Sequence, residues 1–317
     1  MQTIGTPDAH PNNVFRMLDV KRGFDPAPAS KLRWVYVGEL GVGKSTLVAS
    51  IPDAIIIDPE ASQNAVPGAR SWRFCPGSRG TNPWTHFQEI MAALISDATS
   101  TFKTVVFDTG DSFVGLIERG LTDRHNAAAA KSSSSRVLDS ITEFGAEGAG
   151  WTKIHNTIKH TLIQLENAGY GWGTTLHTKN HNIKLMDGKE FSFVDAALSP
   201  GCAAAFKERA DYVGRIILEK KKTTTIRDLD LGDKVMEQEF HEEHIVRTLT
   251  FSLPPAPKNA TAFAARTVKQ RIPFNKEVVL PKMDGWATVV SAYEAAATQA
   301  QLEDQAANNK EKVNAEK

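Results

Sequence analysis

The feature that most constrains this chain is the glycine-rich octapeptide at residues 38–45, Gly-Glu-Leu-Gly-Val-Gly-Lys-Ser. It fits the pattern of a phosphate-binding loop (P-loop), which connects a strand to a helix. The preceding segment, Arg33 to Val37, has the β-branched and aromatic content of a strand, and a helix is predicted from Lys44 to about Ile51. The loop therefore has the flanking elements that its function requires, which favours an α/β fold.

The chemistry of this loop follows from its geometry. Glycines allow backbone N–H groups to turn toward phosphate oxygens, and the N-terminus of the following helix presents its positive end to the same anion. Lys44 adds a positive charge for the β- and γ-phosphates, and the Ser45 hydroxyl is suited to Mg²⁺. The sequence predicts a site for ATP and Mg²⁺ formed by Gly38, Gly41, Val42, Gly43, Lys44, Ser45 and Thr46.

Strand and helix patterns alternate after the loop. Short apolar runs such as Ala54 to Asp58 and Lys103 to Asp108 are typical of strands buried on both faces of a parallel sheet. We expect a mostly parallel sheet with helices on both faces and a β-rich C-terminal extension. The further predicted elements are helices at 84–98, 151–167 and 286–297, strands at 171–176, 212–218 and 245–253, and a hairpin turning at Asp187-Gly188.

The expected domain organisation is simple. Residues 1–30 are predicted to be an extended lead-in, residues 31–297 a single ATPase domain, and residues 298–317 a frayed or disordered tail. No apolar run is long enough for a membrane span and no signal peptide is evident, so we expect a cytoplasmic protein. The two cysteines, Cys75 and Cys202, are predicted to be reduced thiols.

Charge is balanced overall but not locally. The chain has 37 basic and 37 acidic residues, so no global positive field indicates a nucleic-acid partner. Residues 207–227 contain seven basic and three acidic residues, whereas residues 228–243 contain seven acidic residues and one lysine. These opposite blocks either face each other across a hairpin or form part of a local DNA-binding path.

Two carboxylates are candidates for the chemistry at the phosphate site. Asp108 ends an apolar strand, where it can hold the water shell of Mg²⁺ as a Walker B acid does, with Thr109 and Asp111 as further candidates nearby. Asp111 alternatively caps a helix at residues 112–119. Glu60 follows the strand after the P-loop helix, at the sheet edge where ligands bind, and is our candidate for orienting the attacking water.

These residues and motifs together resemble the RecA-like ATPase core. The order of P-loop, AIIIDPE, TVVFDTGDS, GTTLHTK and ADYVGRIIL over about residues 31–286 is similar to phage nucleotide-binding proteins related to RadB-like recombinases. The resemblance implies an ATPase that acts with single-stranded DNA in phage recombination or annealing. It also implies water activation by Glu60 and γ-phosphate sensing by His177.

The resemblance further implies a homo-oligomer in which basic residues of one subunit reach the nucleotide of the next. Arg266, Lys269 and Arg271 fit that role, and other phage recombination or replication proteins are possible partners. The chain departs from full-length recombinases because it shows no N-terminal helical DNA-binding domain and no evident polymerisation motif. Filament formation is therefore not part of the prediction.

Two segments are candidates for DNA contact. The first is an Ala- and Ser-rich insertion at residues 120–149, with Arg124, Lys131 and Arg136, whose residues 126–135 have the composition of a mobile segment. The second is the hairpin region at 179–207, in which Phe191 and Phe193 are available for base stacking. The spacing of the histidines, including the pairs at 177/181 and 241/244, does not favour a metal site.

Two other classes of function remain open. A nucleotide-controlled switch, such as a helicase loader, uses the same loop to govern binding of a protein partner. A small-molecule kinase also uses it, but residues 119–136 lack the basic character of a lid and no second substrate motif is present.

Overall fold

The computed structural model describes residues 26–61, 66, 68–96, 101–132, 136–146, 148–184, 190–230, 235–251, 269–270, 277–282 and 284–315. Within these ranges, the chain forms one sheet with helices packed on it. The strands are β1 (Arg33–Gly38), β2 (Ala54–Ile57), β3 (Trp72–Phe74), β4 (Thr104–Phe107), β5 (Gly171–Lys184), β6 (Glu190–Ala196), β7 (Tyr212–Asp230), β8 (Val235–Thr250), β9 (Lys269–Gln270) and β10 (Glu277–Leu280). The helices are α1 (Lys44–Ala49), α2 (Pro83–Ser96), α3 (Gly110–Ala129), α4 (Ala149–Asn167), α5 (Pro200–Lys207) and α6 (Gly285–Ala315), with 3₁₀ turns at Ala29–Lys31 and Ile141–Glu143.

The central part of the sheet is parallel, as the alternating pattern predicts. Strand order is β10-β8-β7-β1-β5-β4-β2-β3, with β6 paired to β5 and β9 paired to β7. Strands β1, β2, β3, β4, β5 and β7 run in the same direction, and the antiparallel pairs involve β6, β8, β9 and β10. This confirms the predicted α/β class with strands added at the C-terminal end.

Alternate residues of β1 enter two separate hydrophobic cores. Val35 and Val37 pack with α2, α3, α4 and α5, whereas Trp34 and Tyr36 pack with α1 and α6 on the other face. Trp34 stacks on Tyr36 with ring centroids 4.6 Å apart and contacts Trp286 of α6 at 5.7 Å. Because a strand exposes successive side chains to opposite faces, β1 is buried on both sides. The loop after it is therefore held on a rigid support.

The two strands that flank β1 continue past the sheet as two-stranded ribbons. Beyond its pairing with β1, β5 pairs with β6 through Thr178–Lys184, and we call this the β5–β6 ribbon. Similarly, β7 continues through Leu218–Asp230 paired with Val235–Arg247, which we call the β7–β8 ribbon. At about 3.4 Å per residue the ribbons extend roughly 20 Å and 40 Å. Both ribbons leave from the edge at which β1 ends.

These ribbons replace shorter predicted strands. The sequence pattern ends strands at Leu176 and Leu218, but the backbone pairing continues to Lys184 and Asp230. In the β7–β8 ribbon, Lys222 is the backbone partner of Glu243, so the basic and acidic blocks do run opposite each other in a hairpin. The predicted turn at Asp187-Gly188 lies outside the described residues.

Two segments predicted to be irregular are helical over part of their described length. The prediction of a mobile insertion is wrong for residues 126–129, which end the long helix α3. Alanine-rich runs are strong helix formers, and that propensity prevails here. Likewise α6 continues to Ala315, although the sequence predicts a frayed tail from residue 298. Its Ala, Gln, Glu and Lys content favours a helix even without a continuous apolar face.

Candidate nucleotide site

The predicted site residues meet at the carboxyl edge of the central strands. In the backbone register, Gly38 at the end of β1 is opposite His177 of β5. Phe107, which precedes Asp108, is opposite Thr174 of β5 on one side and Ile57 of β2 on the other. The P-loop, Asp108, His177 and the turn after β2 therefore lie along one edge, which is where open parallel sheets bind ligands.

The glycines of the P-loop are required by close packing and by backbone conformation. A Cβ at Gly38 would lie 2.9 Å from the carbonyl oxygen of Ile216 and 2.8 Å from Cγ2 of Val42. Gly41 and Gly43 have φ values of 77° and 87°, in the region that favours glycine. Gly43 is also the N-cap of α1, and because glycine has no side chain it cannot cap the helix with a side-chain hydrogen bond. The first amides of α1 are thus left for another acceptor, as an anion site requires.

Lys44 is almost completely buried, with 5% of its surface exposed. Its Nζ donates to the carbonyl oxygens of Gly38 at 2.8 Å and Glu39 at 2.7 Å. Burial lowers the pKa of Lys44, and the negative charges of Asp108, Asp111 and Glu39 act in the opposite direction. The ammonium group therefore lies near these carboxylates, and its two described hydrogen bonds leave a third proton that can be donated to a phosphate oxygen.

Asp108 is fully buried directly after β4. Its backbone N–H donates to the Ile57 carbonyl at 3.0 Å, and its Oδ1 accepts a hydrogen bond from the Thr175 hydroxyl. Thr175 of the neighbouring strand β5 thus holds one carboxylate oxygen of Asp108 in place. Thr175 was not among the predicted site residues, although it lies two positions before His177 in the same strand. The alternation of strand side chains was the signal that could have identified it.

Asp111 holds His177 rather than capping helix α3. The cap is Thr109, which exchanges hydrogen bonds with Ser112, whereas Asp111 Oδ2 accepts the backbone N–H of His177 at 2.9 Å. The same oxygen lies 3.4 Å from His177 Nδ1. Burial raises the pKa of Asp111, while the His177 N–H, the His177 ring and Lys44 act in the opposite direction. The pair fixes His177 at the junction between the sheet and the β5–β6 ribbon.

Glu60 lies in an exposed turn after β2. The turn is closed by the Ala61 N–H, which donates to the Asp58 carbonyl at 3.3 Å, and Ala61 has a φ of 56°. Asp58 itself is fully buried, and its backbone N–H donates to the carbonyl of Phe74 in β3. Glu60 thus follows a fixed residue next to the strand of Asp108, with its side chain accessible to solvent.

The residues present fit a nucleotide with Mg²⁺. Ser45 is half-buried in the first turn of α1, next to the buried ammonium of Lys44, and Asp108 supplies a carboxylate. Mg²⁺ keeps several water ligands, so a hydroxyl and one carboxylate suffice on the protein side. Among the residues that the structure describes, no cluster of three or more His, Cys, Asp or Glu side chains is arranged as metal ligands.

Among the basic residues predicted to reach a neighbouring subunit, the structure describes only the backbone of Lys269. Arg266 and Arg271 lie outside the described residues. Lys269 begins β9, where its backbone pairs with Val213 of β7. Of the predicted DNA-contact residues in the insertion, Arg124 lines a cavity between helices and Arg136 forms an exposed pair with Glu143 at 3.5 Å. Their proposed roles stay predictions.

The sequence reasoning also missed Arg247 of β8. Its Nη1 donates to the carbonyl of Gly43 in the P-loop at 3.3 Å. The two residues are separated by 204 positions, so no local motif indicates the contact. Only the register of β8 against β7 brings this side chain to the loop.

A glycine-rich loop after a central parallel strand, a buried lysine and a buried acidic residue on a neighbouring strand define the class of P-loop nucleoside triphosphatases. The comparison with protein families agrees: residues 30–248 match the family described as AAA domain. This match covers more than half of the 317 residues, and the chain belongs to that family. No curated protein matches the chain. Along the described residues, no helix has the length and apolar character needed to cross a bilayer.

Proposed function

We propose that this protein is a Mg²⁺-dependent ATPase of RecA-like type that couples ATP hydrolysis to binding of single-stranded DNA in phage recombination or annealing. The observation that supports the coupling is the position of His177. It lies opposite Gly38 of the P-loop strand, and the residue after it begins the β5–β6 ribbon. A γ-phosphate that contacts His177 and DNA that contacts the ribbon would therefore both act on strand β5.

Catalysis in this proposal rests on positioning and charge. Lys44 and the amides at the start of α1 bind the phosphates, while Ser45 and Asp108 hold the Mg²⁺ that neutralises phosphate charge when bound. Glu60 orients the attacking water, and His177 senses the γ-phosphate. The role of Lys269 or Arg271 as a basic group supplied by a neighbouring subunit belongs to the same proposal, which makes activity depend on assembly.

The experiment is ATP hydrolysis with and without single-stranded DNA at two salt concentrations. We expect stimulation by DNA that weakens at high salt, because phosphate contacts release counterions. Lys44→Ala should abolish hydrolysis in both conditions. Lys179→Ala, at an exposed position of the β5–β6 ribbon, should reduce stimulation but not basal activity.

Lys159→Ala is the matched control for Lys179→Ala. Lys159 is a partly exposed lysine that pairs with Glu208 at 3.1 Å and belongs to α4, not to the P-loop or the ribbon. Its variant should keep full stimulation. Equal activity with and without DNA at both salt concentrations would contradict the coupling to DNA while leaving nucleotide binding intact.

A second candidate, a nucleotide-controlled switch for a protein partner, is favoured by the β7–β8 ribbon. Its strands have seven acidic residues against five basic ones, a balance that does not favour DNA phosphates. A two-stranded ribbon alone is marginally stable in water, which favours a surface that covers it. The switch predicts weak hydrolysis that DNA does not stimulate and a partner bound in only one nucleotide state.

A small-molecule kinase receives no support from the cavity between α2, α3 and α4. That cavity has a volume of about 620 Å³ and is lined by residues such as Trp84, Leu121 and His160. Helix α3 begins beside Asp108 at Gly110, and Leu121 is eleven residues further on, which is roughly 16 Å along a helix. The cavity also lies on the face opposite α1, so it is not an acceptor pocket for the phosphate site.

A further inference from the structure

We propose that Arg247 is a positioning residue that holds the P-loop in the conformation that binds nucleotide. The inference rests on the nucleotide-binding part of the proposed function and not on its coupling to DNA. Arg247 lies where β8 leaves its pairing with β10, at the base of the β7–β8 ribbon. Its side chain runs from this strand to the loop that follows β1.

The guanidinium group of Arg247 joins three segments of the chain. Nη1 donates to the Gly43 carbonyl at 3.3 Å, and Nη2 donates to the carbonyl of Pro281 and, at 3.4 Å, to that of Lys282. The last two residues lie in the turn before α6. Gly285 follows this turn, and a Cβ on it would lie 3.0 Å from Cδ1 of Leu47 in α1. Arg247 thus connects β8, the P-loop and the start of α6 around helix α1.

Gly43 is the residue that this contact holds, and it immediately precedes Lys44. Its carbonyl also accepts the first hydrogen bond of α1, from the Leu47 N–H at 3.0 Å. A Cβ at Gly43 would lie only 2.1 Å from Nη1 of Arg247, so a glycine is needed to admit the guanidinium as well as to provide the φ of 87°. The arginine and the glycine form a fitted pair at the point where the phosphate loop becomes a helix.

The charged guanidinium group of Arg247 is hydrogen-bonded to neutral carbonyl groups. Its described hydrogen-bond acceptors are carbonyl oxygens, and among the described residues no carboxylate contributes to its pKa. Burial lowers the pKa of Arg247. A half-buried cation without an acidic partner in these ranges costs free energy. It also adds positive potential beside a site for a polyanion. A planar group with several donors can reach three carbonyls at once, which the single ammonium of a lysine does less well.

The test compares Arg247→Ala and Arg247→Lys for binding of Mg-ADP by calorimetry, in the absence of DNA. We expect Arg247→Ala to weaken binding about 10- to 100-fold, the range for loss of a charged hydrogen bond. Arg247→Lys should recover less than half of the affinity that Arg247→Ala loses, because lysine retains the charge but cannot bridge the three carbonyl groups. In hydrolysis assays, KM for ATP should rise while kcat at saturation is retained.

Arg70→Ala provides the matched control. Arg70 is an exposed arginine that pairs with Asp284 at 2.9 Å, so it holds the same turn before α6 without contacting the P-loop. Its variant should bind Mg-ADP like the wild type. Wild-type affinity in Arg247→Ala, or full recovery in Arg247→Lys, would overturn the proposal. If Arg247→Ala does not fold, the affinity of Arg247→Lys tests the proposal: weakened binding of Mg-ADP supports it, and wild-type binding overturns it. A wild type that shows no DNA stimulation, together with weakened Mg-ADP binding in Arg247→Ala, would contradict the proposed function and not this inference.

Discussion

The two flanks of the P-loop strand differ in how they are attached to the phosphate site. On the β5 side the attachment is through the backbone, because His177 pairs directly with Gly38 and is held by Asp111. On the β8 side it is through one long side chain, Arg247, which reaches Gly43 from a strand that does not pair with β1. Both flanks continue into ribbons. From this difference we expect the β5 side to respond to what occupies the site and the β8 side to support the loop itself.

The largest effect that distinguishes the flanks is expected for His177→Ala. Loss of a group that stabilises transition-state charge lowers kcat by about 10²- to 10³-fold. The affinity for Mg-ADP should be unchanged, because ADP lacks the γ-phosphate that we propose His177 senses. Single-turnover hydrolysis and calorimetry measure the two quantities separately.

The exposed His160 of α4 supplies the control for this histidine. His160→Ala also removes an imidazole ring, but from the cavity between α2, α3 and α4. It should change neither kcat nor the affinity for Mg-ADP. Parallel losses of kcat and ADP affinity in His177→Ala would contradict the comparison, since His177 would then support the loop as Arg247 does.

A smaller effect is expected at Gly38, which packs against the β7 side of β1. In Gly38→Ala the new methyl group meets the Ile216 carbonyl and Val42, and overpacking of this kind costs about 1–3 kcal/mol of the free energy of unfolding. Gly115→Ala in α3 is the matched variant, since a Cβ there has no atom within 4 Å. It should stabilise the protein by about 0.5–1 kcal/mol. Urea denaturation measures the free energy of unfolding of both variants. Equal values would show that Ile216 and Val42 move enough to accommodate the new methyl group.

The part of the site that lies within single motifs was predictable from the sequence. Gly38 to Ser45 follow a fixed spacing, and Asp108 ends a strand whose apolar run is easily recognised. His177 was predicted through the resemblance, and the structure places it in register with Gly38. These positions were accessible because a parallel sheet aligns the ends of its strands, so neighbouring strand ends meet without further information.

The contacts that join distant segments were not predictable. Arg247 reaches Gly43 only because β8 pairs with β7 in one register, and a shift of one residue would direct its side chain to the other face. Thr175 could have been proposed from its alternation with His177, but its hydrogen bond to Asp108 also depends on the register of β5 against β4. The lengths of the ribbons were missed because the sequences of these segments do not alternate regularly between apolar and polar residues. Residues 126–129 were misassigned because Ala-rich composition is common to helices and to mobile segments.

The smallest expected effect tests the β5 flank through Asp111. Burial raises its pKa above the ordinary value of 3.8. The stability contributed by the protonated carboxyl group is therefore fully present below about pH 3.8 and is lost as the pH rises through the raised pKa. Asp111→Asn does not titrate, and its side-chain oxygen can still accept the His177 N–H. Its stability relative to the wild type should therefore increase as the pH rises through this window.

Urea denaturation of the wild type and Asp111→Asn at several pH values from 4 to 7 measures this difference. Asp53→Asn removes an exposed carboxylate that pairs with Lys103 at 3.1 Å, and it controls for the general effect of losing an acidic group. His177 and Lys44 face Asp111 and favour its ionised form. The change with pH in the difference in free energy of unfolding therefore reports the balance between burial and these two groups. A wild type that gains stability over Asp111→Asn as the pH rises would mean that His177 and Lys44 outweigh burial. The β5 flank would then be held by an ion pair and not by the backbone contact.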